Sequence, residues 1–128
     1  MKKRIAIFLF FAFATQVSSE SPIHFKLEKG IGDTYFLKLE HAKNFGVQKD
    51  APHKILLNPS AGLSIESADL KLKGKASIKK KEYFESVSPM PITLKGTGQL
   101  TIDAKIFYCD YDRNICIPGK IQQTENIR

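Results

Sequence analysis

Apolar and polar residues alternate along most of the chain. Ile23, Phe25 and Leu27 form one series, Tyr35, Leu37 and Leu39 a second, Leu70 and Leu72 a short third, and Leu100, Ile102, Ala104, Ile106 and Tyr108 the longest. Successive side chains of a β-strand point to opposite faces. Period two therefore gathers these residues on one face and sends Lys26, Glu28, Lys38, Glu40, Lys71, Lys73, Thr101, Asp103 and Lys105 to the other. The pattern predicts half-buried sheets. No stretch beyond Glu20 keeps a sustained helical stripe.

Turn chemistry separates the alternating runs. Lys29-Gly30-Ile31-Gly32-Asp33, Lys49-Asp50-Ala51-Pro52, Asn58-Pro59-Ser60-Ala61-Gly62, Ser88-Pro89-Met90-Pro91 and Lys95-Gly96-Thr97-Gly98 carry the residues that accept tight or left-handed backbone. Turns roughly every 8 to 12 residues, between about eight short strands, predict an all-β fold. The form expected is a two-sheet antiparallel sandwich of immunoglobulin type. Pro52, Pro59, Pro89, Pro91 and Pro118 fall at segment edges, where a missing amide donor is tolerated.

The start of the chain has a different texture. Lys2, Lys3 and Arg4 precede an unbroken apolar run from Ile5 to Ala14, and Thr15 to Glu20 are then small and polar. That is the layout of a secretory signal peptide over residues 1–19, with cleavage after Ser19 or, as a second site, after Ala14. A membrane span needs roughly 20 apolar residues, about twice this run, so no stable membrane insertion is expected once the signal is removed. Residues 20–128 then form a single domain, its tail from about residue 122 frayed. The full chain of 128 residues carries 20 Lys plus Arg against 13 Asp plus Glu, a net +7. Loss of Lys2, Lys3 and Arg4 leaves 17 against 13, a net +4. Export to the periplasm or the medium also separates this mild basicity from chromosomal DNA and most RNA, so no nucleic-acid partner is expected.

Cys109 and Cys116 are the only two thiols. They flank Asp110-Tyr111-Asp112-Arg113-Asn114-Ile115 directly after the longest alternating run. This separator suits a hairpin loop that sets both sulfurs on neighbouring strands, and in an oxidising compartment they should pair. Parity along the strand places Cys109 on the polar face with Thr101, Asp103 and Lys105, so it is expected to be exposed. An exposed disulfide at a loop tip can be attacked by an incoming thiolate through a mixed disulfide. Asp110, Asp112 and Arg113 give a local charge of minus one, which does not acidify a thiol. The pair is therefore expected to act as a passive acceptor or relay, with the partner supplying the activated cysteine. The plain alternative is a bridge that only pins its hairpin.

From Phe45 to Ile121, about three-fifths of the chain, the sequence resembles the amino-terminal, immunoglobulin-like periplasmic domain of the thiol:disulfide interchange protein DsbD and related stand-alone domains. The resemblance runs through Gly46-Val47-Gln48-Lys49-Asp50-Ala51-Pro52-His53-Lys54-Ile55, then Glu82-Tyr83-Phe84 leading to Pro91-Ile92-Thr93-Leu94. It ends with the long strand into Tyr108-Cys109 and with Cys116-Ile117-Pro118. It implies an electron-relay domain whose cysteine pair, Cys109 and Cys116, exchanges disulfides with a thioredoxin-like protein or another periplasmic oxidoreductase. The acidic, aromatic cap over the family's cysteines has no counterpart near Lys71-Leu72-Lys73-Gly74-Lys75.

Other chemistry finds little support. His24, His41 and His53 lack the spacing of a copper or zinc site, so they are expected to be separate surface or strand-end residues, with no metal and no cofactor. Gly30-Ile31-Gly32 and Gly96-Thr97-Gly98 lack the strand-to-helix setting of a phosphate cradle and are expected to be turns. No nucleophile signature joins a Ser to the Asp and His residues. Lys71, Lys73, Lys75, Lys79, Lys80 and Lys81 are expected to form a solvated face guarding an edge strand, with docking of an acidic partner as the alternative. Two readings of function remain open: a thiol-disulfide relay, and a non-catalytic binding module of the same fold whose disulfide is structural.

Overall fold

The computed structural model describes residues 21–128. The expected signal peptide and both of its cleavage points lie outside the described residues.

Ten strands follow one another: β1 (Ile23–Lys29), β2 (Thr34–His41), β3 (Phe45–Gln48), β4 (Lys54–Pro59), β5 (Leu63–Ala68), β6 (Gly74–Ala76), β7 (Tyr83–Val87), β8 (Met90–Gly96), β9 (Gly98–Asp110) and β10 (Ile115–Ile127). They form two antiparallel sheets. The smaller runs β1-β2-β8-β5, and the larger runs β10-β9-β3-β7-β6 with β4 also paired to β9. The two-sheet antiparallel sandwich expected from the alternation is therefore the observed architecture. The count of about eight strands was low because β3 and β6, four and three residues long, are too short to show a period. Among the described residues no helix is long and apolar enough to cross a membrane.

The alternating residues meet in one core. Ile23, Phe25, Leu37, Leu39, Met90, Ile92 and Leu94 of the smaller sheet face Val47, Phe84, Leu100, Ile102, Ile106 and Ile121 of the larger, all of them buried. Leu70 and Leu72 pack against this core without belonging to a strand.

The chain does not fray at about residue 122. Instead β10 pairs with β9 from Ile115 to Ile127, and Ile121 and Ile127 are 8% and 4% exposed. The tail is held from both sides. Gln123 receives a hydrogen bond on Oε1 from the Phe25 amide at 2.6 Å and donates from Nε2 to the Phe25 carbonyl at 2.9 Å. Its side chain thus substitutes for a strand neighbour on the free edge of β1 and closes one side of the sandwich.

β9 is the spine that positions the site. One edge carries β10 along its whole length; the other carries β4 opposite Leu100–Lys105 and β3 opposite Tyr108–Asp110. Phe107 falls in the gap between these two partners. His53 fills it: Nδ1 accepts the Phe107 amide at 3.1 Å while Nε2 donates to the Gln48 carbonyl at 2.6 Å. This requires the neutral imidazole. Burial holds the His53 pKa below 6.5, outweighing the opposite pull of the Gln48 carbonyl. A base whose pKa is lowered by folding favours the folded state fully above 6.5, and that contribution is lost as pH falls from 6.5 through the lower folded value. The urea midpoint of the native protein should accordingly drop between pH 7.5 and about pH 5 more than that of a His53→Gln variant. Parallel pH profiles would refute the assignment.

Candidate functional site

The site begins with the turn that joins β9 to β10. Asp110 is buried, 8% exposed, and its Oδ1 accepts hydrogen bonds from the amides of Asp112 at 3.0 Å and Arg113 at 3.3 Å. Such a side chain organises a turn by satisfying amides that would otherwise be idle. Asn114 takes the left-handed backbone the hairpin needs, with φ 53°. The tip is also tied to the loop before β3. The Tyr111 amide donates to the Asn44 carbonyl at 2.9 Å, and Asn44 Nδ2 donates to Asp112 Oδ2 at 2.7 Å.

That turn puts Asp110 opposite Ile115 and hence Cys109 opposite Cys116. The two are joined in a disulfide, with their Cα atoms 3.9 Å apart. The hairpin reasoning on the separator therefore holds for the pairing. For exposure of Cys109 it does not: that residue is only 3% exposed, whereas Cys116 is exposed.

Parity placed Cys109 on the correct, outer face, but parity cannot foresee what covers that face. Two tyrosines stand over that face beside the disulfide. Tyr111 from the turn and Tyr83 from β7 meet edge to face, ring centroids 5.3 Å apart and planes at 85°, and the Tyr83 hydroxyl lies 3.9 Å from Cys116 Sγ. Gly46 of β3 pairs with Cys109, and a Cβ there would overlap the Tyr111 phenol. The missing side chain is what lets the ring lie down. Lys80, in the turn before β7, places Nζ 3.5 Å from the centre of the Tyr111 ring. Burial, and then the neighbouring Tyr83, push the Tyr111 pKa above 10.0, so its hydroxyl stays protonated at any ordinary pH.

The result is an asymmetric disulfide. Cys116 is exposed, with the Tyr83 hydroxyl beside its sulfur, while Cys109 is buried between β3 and β10 next to an aromatic pair that no sequence pattern revealed. Tyr83 was visible only within the Glu82-Tyr83-Phe84 stretch of the resemblance, and Tyr111 only as a loop residue. Gly46 carried no turn signal. Attack in line with the S–S bond needs an approach to one sulfur while the other leaves as thiolate, and Cys116 is the exposed residue of the pair. The local charge also changes, because folding brings Lys80 to a group previously counted as Asp110, Asp112 and Arg113.

The remaining candidates fall elsewhere. His24 pairs with Glu40 at 2.9 Å across β1 and β2, His41 bonds the Ala42 carbonyl, and His53 has the backbone role described above. Among the described residues no three His, Cys, Asp or Glu side chains converge as a metal site. In the basic segment, β6 is indeed an edge strand, with Lys75 exposed on it and 3.8 Å from Glu85, and Lys73 pairs with Asp69 at 3.0 Å. Comparison with known protein families and with curated proteins finds no match to this chain.

Proposed function

We propose that this protein is an exported thiol–disulfide exchange domain that relays reducing equivalents from or to a thioredoxin-like partner. The observation that carries the reading is the asymmetry of the disulfide, Cys116 exposed and Cys109 buried at the end of the β9–β10 ribbon. It supports a defined order of events. A partner thiolate attacks Cys116 Sγ, the Cys109–Cys116 bond breaks, and its electron pair leaves on Cys109, which takes up a proton. The partner's second thiolate then attacks its own sulfur in the mixed disulfide and releases Cys116 as a thiolate, which takes up the second proton. The partner ends as a disulfide and this chain as a dithiol. The same steps in reverse pass the electrons on. The apolar run at residues 5–14 and the resemblance to the DsbD amino-terminal domain favour a periplasmic setting for this exchange.

The second reading, a binding module with a structural bridge, draws support from the burial of Cys109 and from the tyrosines packed beside the disulfide. The redox potential separates the two. Equilibration with a thioredoxin-like protein of known potential should give a value above about −300 mV for the pair, in the range of exchanging disulfides. A value well below that would assign the bridge to structure alone.

A further inference from the structure

The outer face of the larger sheet carries an arrangement that neither the core nor the disulfide requires. The register pairs Lys54 of β4 with Lys105 of β9, and Lys105 in turn with Lys120 of β10. Three lysines thus stand side by side across three strands, all exposed, and none is in an ion pair among the described residues. Like charges directly opposite one another across strands oppose pairing. Guarding an edge explains Lys120 and Lys54, which lie on strands with a free side, but not Lys105 in the interior of the sheet. The nearest carboxylate on this face, Asp103, is one row away and accepts a hydrogen bond from Asn58 at 3.2 Å.

The row shares its face with the disulfide. Lys105 is four residues from Cys109 along β9, about 14 Å at the rise of an antiparallel strand. A standard protein interface covers about 800 Å² on each side, roughly 30 Å across, so one partner spans both. The surface between and beside them suits a protein rather than a free ion. Phe107 and Pro118 form the intervening row, and Leu56, 50% exposed, lies beside the lysines.

We infer that the outer face of the larger sheet is the docking surface for an acidic protein partner, whose carboxylates the Lys54–Lys105–Lys120 row receives while its thiolate reaches Cys116. The inference rests on the exchange reading above and adds the chemistry of the partner's surface. Complementary charge of this kind acts mainly on association rate and is screened by salt.

The test follows the second-order rate at which a reduced thioredoxin of net negative charge reduces the disulfide, at about 20 mM and about 200 mM salt. The native protein, a K54Q/K105Q/K120Q variant and a K54R/K105R/K120R variant are compared, with dithiothreitol as a reductant too small to span the lysine row and the disulfide together. At low salt the glutamine variant should react about tenfold more slowly with thioredoxin and lose most of its salt dependence. The arginine variant should match the native rate, and dithiothreitol should reduce all three alike. Equal thioredoxin rates and equal salt slopes for the native and glutamine proteins would overturn the docking surface and leave the exchange reading standing. Reduction by dithiothreitol but not by thioredoxin in every variant would overturn both. Lysine-dependent binding to phosphatidylglycerol vesicles, with unchanged thioredoxin rates, would give the row to a lipid surface and overturn the proposal.

Discussion

A thiol left at Cys116 by the substitution Cys109→Ser should react with an aromatic disulfide reagent roughly 30- to 100-fold faster than a thiol left at Cys109 by Cys116→Ser. Cys116 is exposed as it stands. Cys109 is buried next to Gly46, over which the Tyr83–Tyr111 pair lies, and that pair has to open to admit the reagent. Opening gives up an edge-to-face aromatic pair, about 0.5–1.5 kcal/mol, and the contact of Lys80 with the ring, about 0.5–1 kcal/mol at an exposed site. With some loss of apolar burial the total is about 2–3 kcal/mol, and each 1.4 kcal/mol is about tenfold in the open population. Pseudo-first-order rates, measured across pH so that thiolates are compared with thiolates, give the ratio directly. Adding Tyr111→Ala to the Cys116→Ser protein should recover most of the lost reactivity. The same asymmetry decides which variant traps a mixed disulfide with a thioredoxin-like protein: the one that keeps Cys116. Strand parity alone, which points Cys109 outward, would favour the opposite variant, Cys116→Ser. Equal rates for the two single-cysteine proteins would remove Cys116 as the attacked sulfur.

The strands that build the core were legible because their signal is local. Ile23, Phe25, Leu37, Leu39, Leu100, Ile102 and Ile106 occupy the alternating positions the sequence displays, and all are buried. The pairing of Cys109 with Cys116 was legible for a similar reason, since a hairpin separator fixes register between neighbouring strands. What could not be read is whatever depends on partners distant in sequence. The aromatic cluster beside the disulfide joins Gly46, Lys80, Tyr83 and Tyr111, and no short-range pattern connects them. The lysine row joins positions 54, 105 and 120, each an unremarkable polar residue in its own strand. The tail misled for another reason. Glu125-Asn126-Ile127-Arg128 is polar enough to suggest fraying, but a strand that pairs along one edge needs only occasional apolar anchors, and Ile121 and Ile127 supply them. His53 belongs to the same class, because a gap in the ladder at Phe107 exists only once β3 and β4 share one side of β9.

Truncating the core under β9 should cost the protein more than opening its disulfide. Ile102 is 0% exposed in the middle of β9, paired with Leu57 of β4 and Gln123 of β10. Ile102→Ala removes buried methyl groups and leaves a cavity that two closely packed sheets cannot fill, for a loss of about 3–4 kcal/mol. At about 4 °C or more per kcal/mol for a domain of this size, the thermal midpoint should fall by roughly 12 °C or more. The Cys109–Cys116 bridge, in contrast, closes a loop of about eight residues, for which the chain-entropy relation gives about 2.5 kcal/mol. A domain of this size is stable by about 5–15 kcal/mol, so the reduced protein should remain folded. Urea unfolding of oxidised native protein, reduced native protein and oxidised Ile102→Ala should show midpoints falling in that order at similar slopes. On the proposed exchange reading the ordering bears directly on function, because a relay would spend part of every cycle as a dithiol and its docking face would have to persist in that state. The sandwich meets this requirement by placing its stabilising contacts between the sheets and its disulfide on the outside. Were reduction alone to unfold the chain, the bridge would be a staple and the cycle would have no competent reduced form.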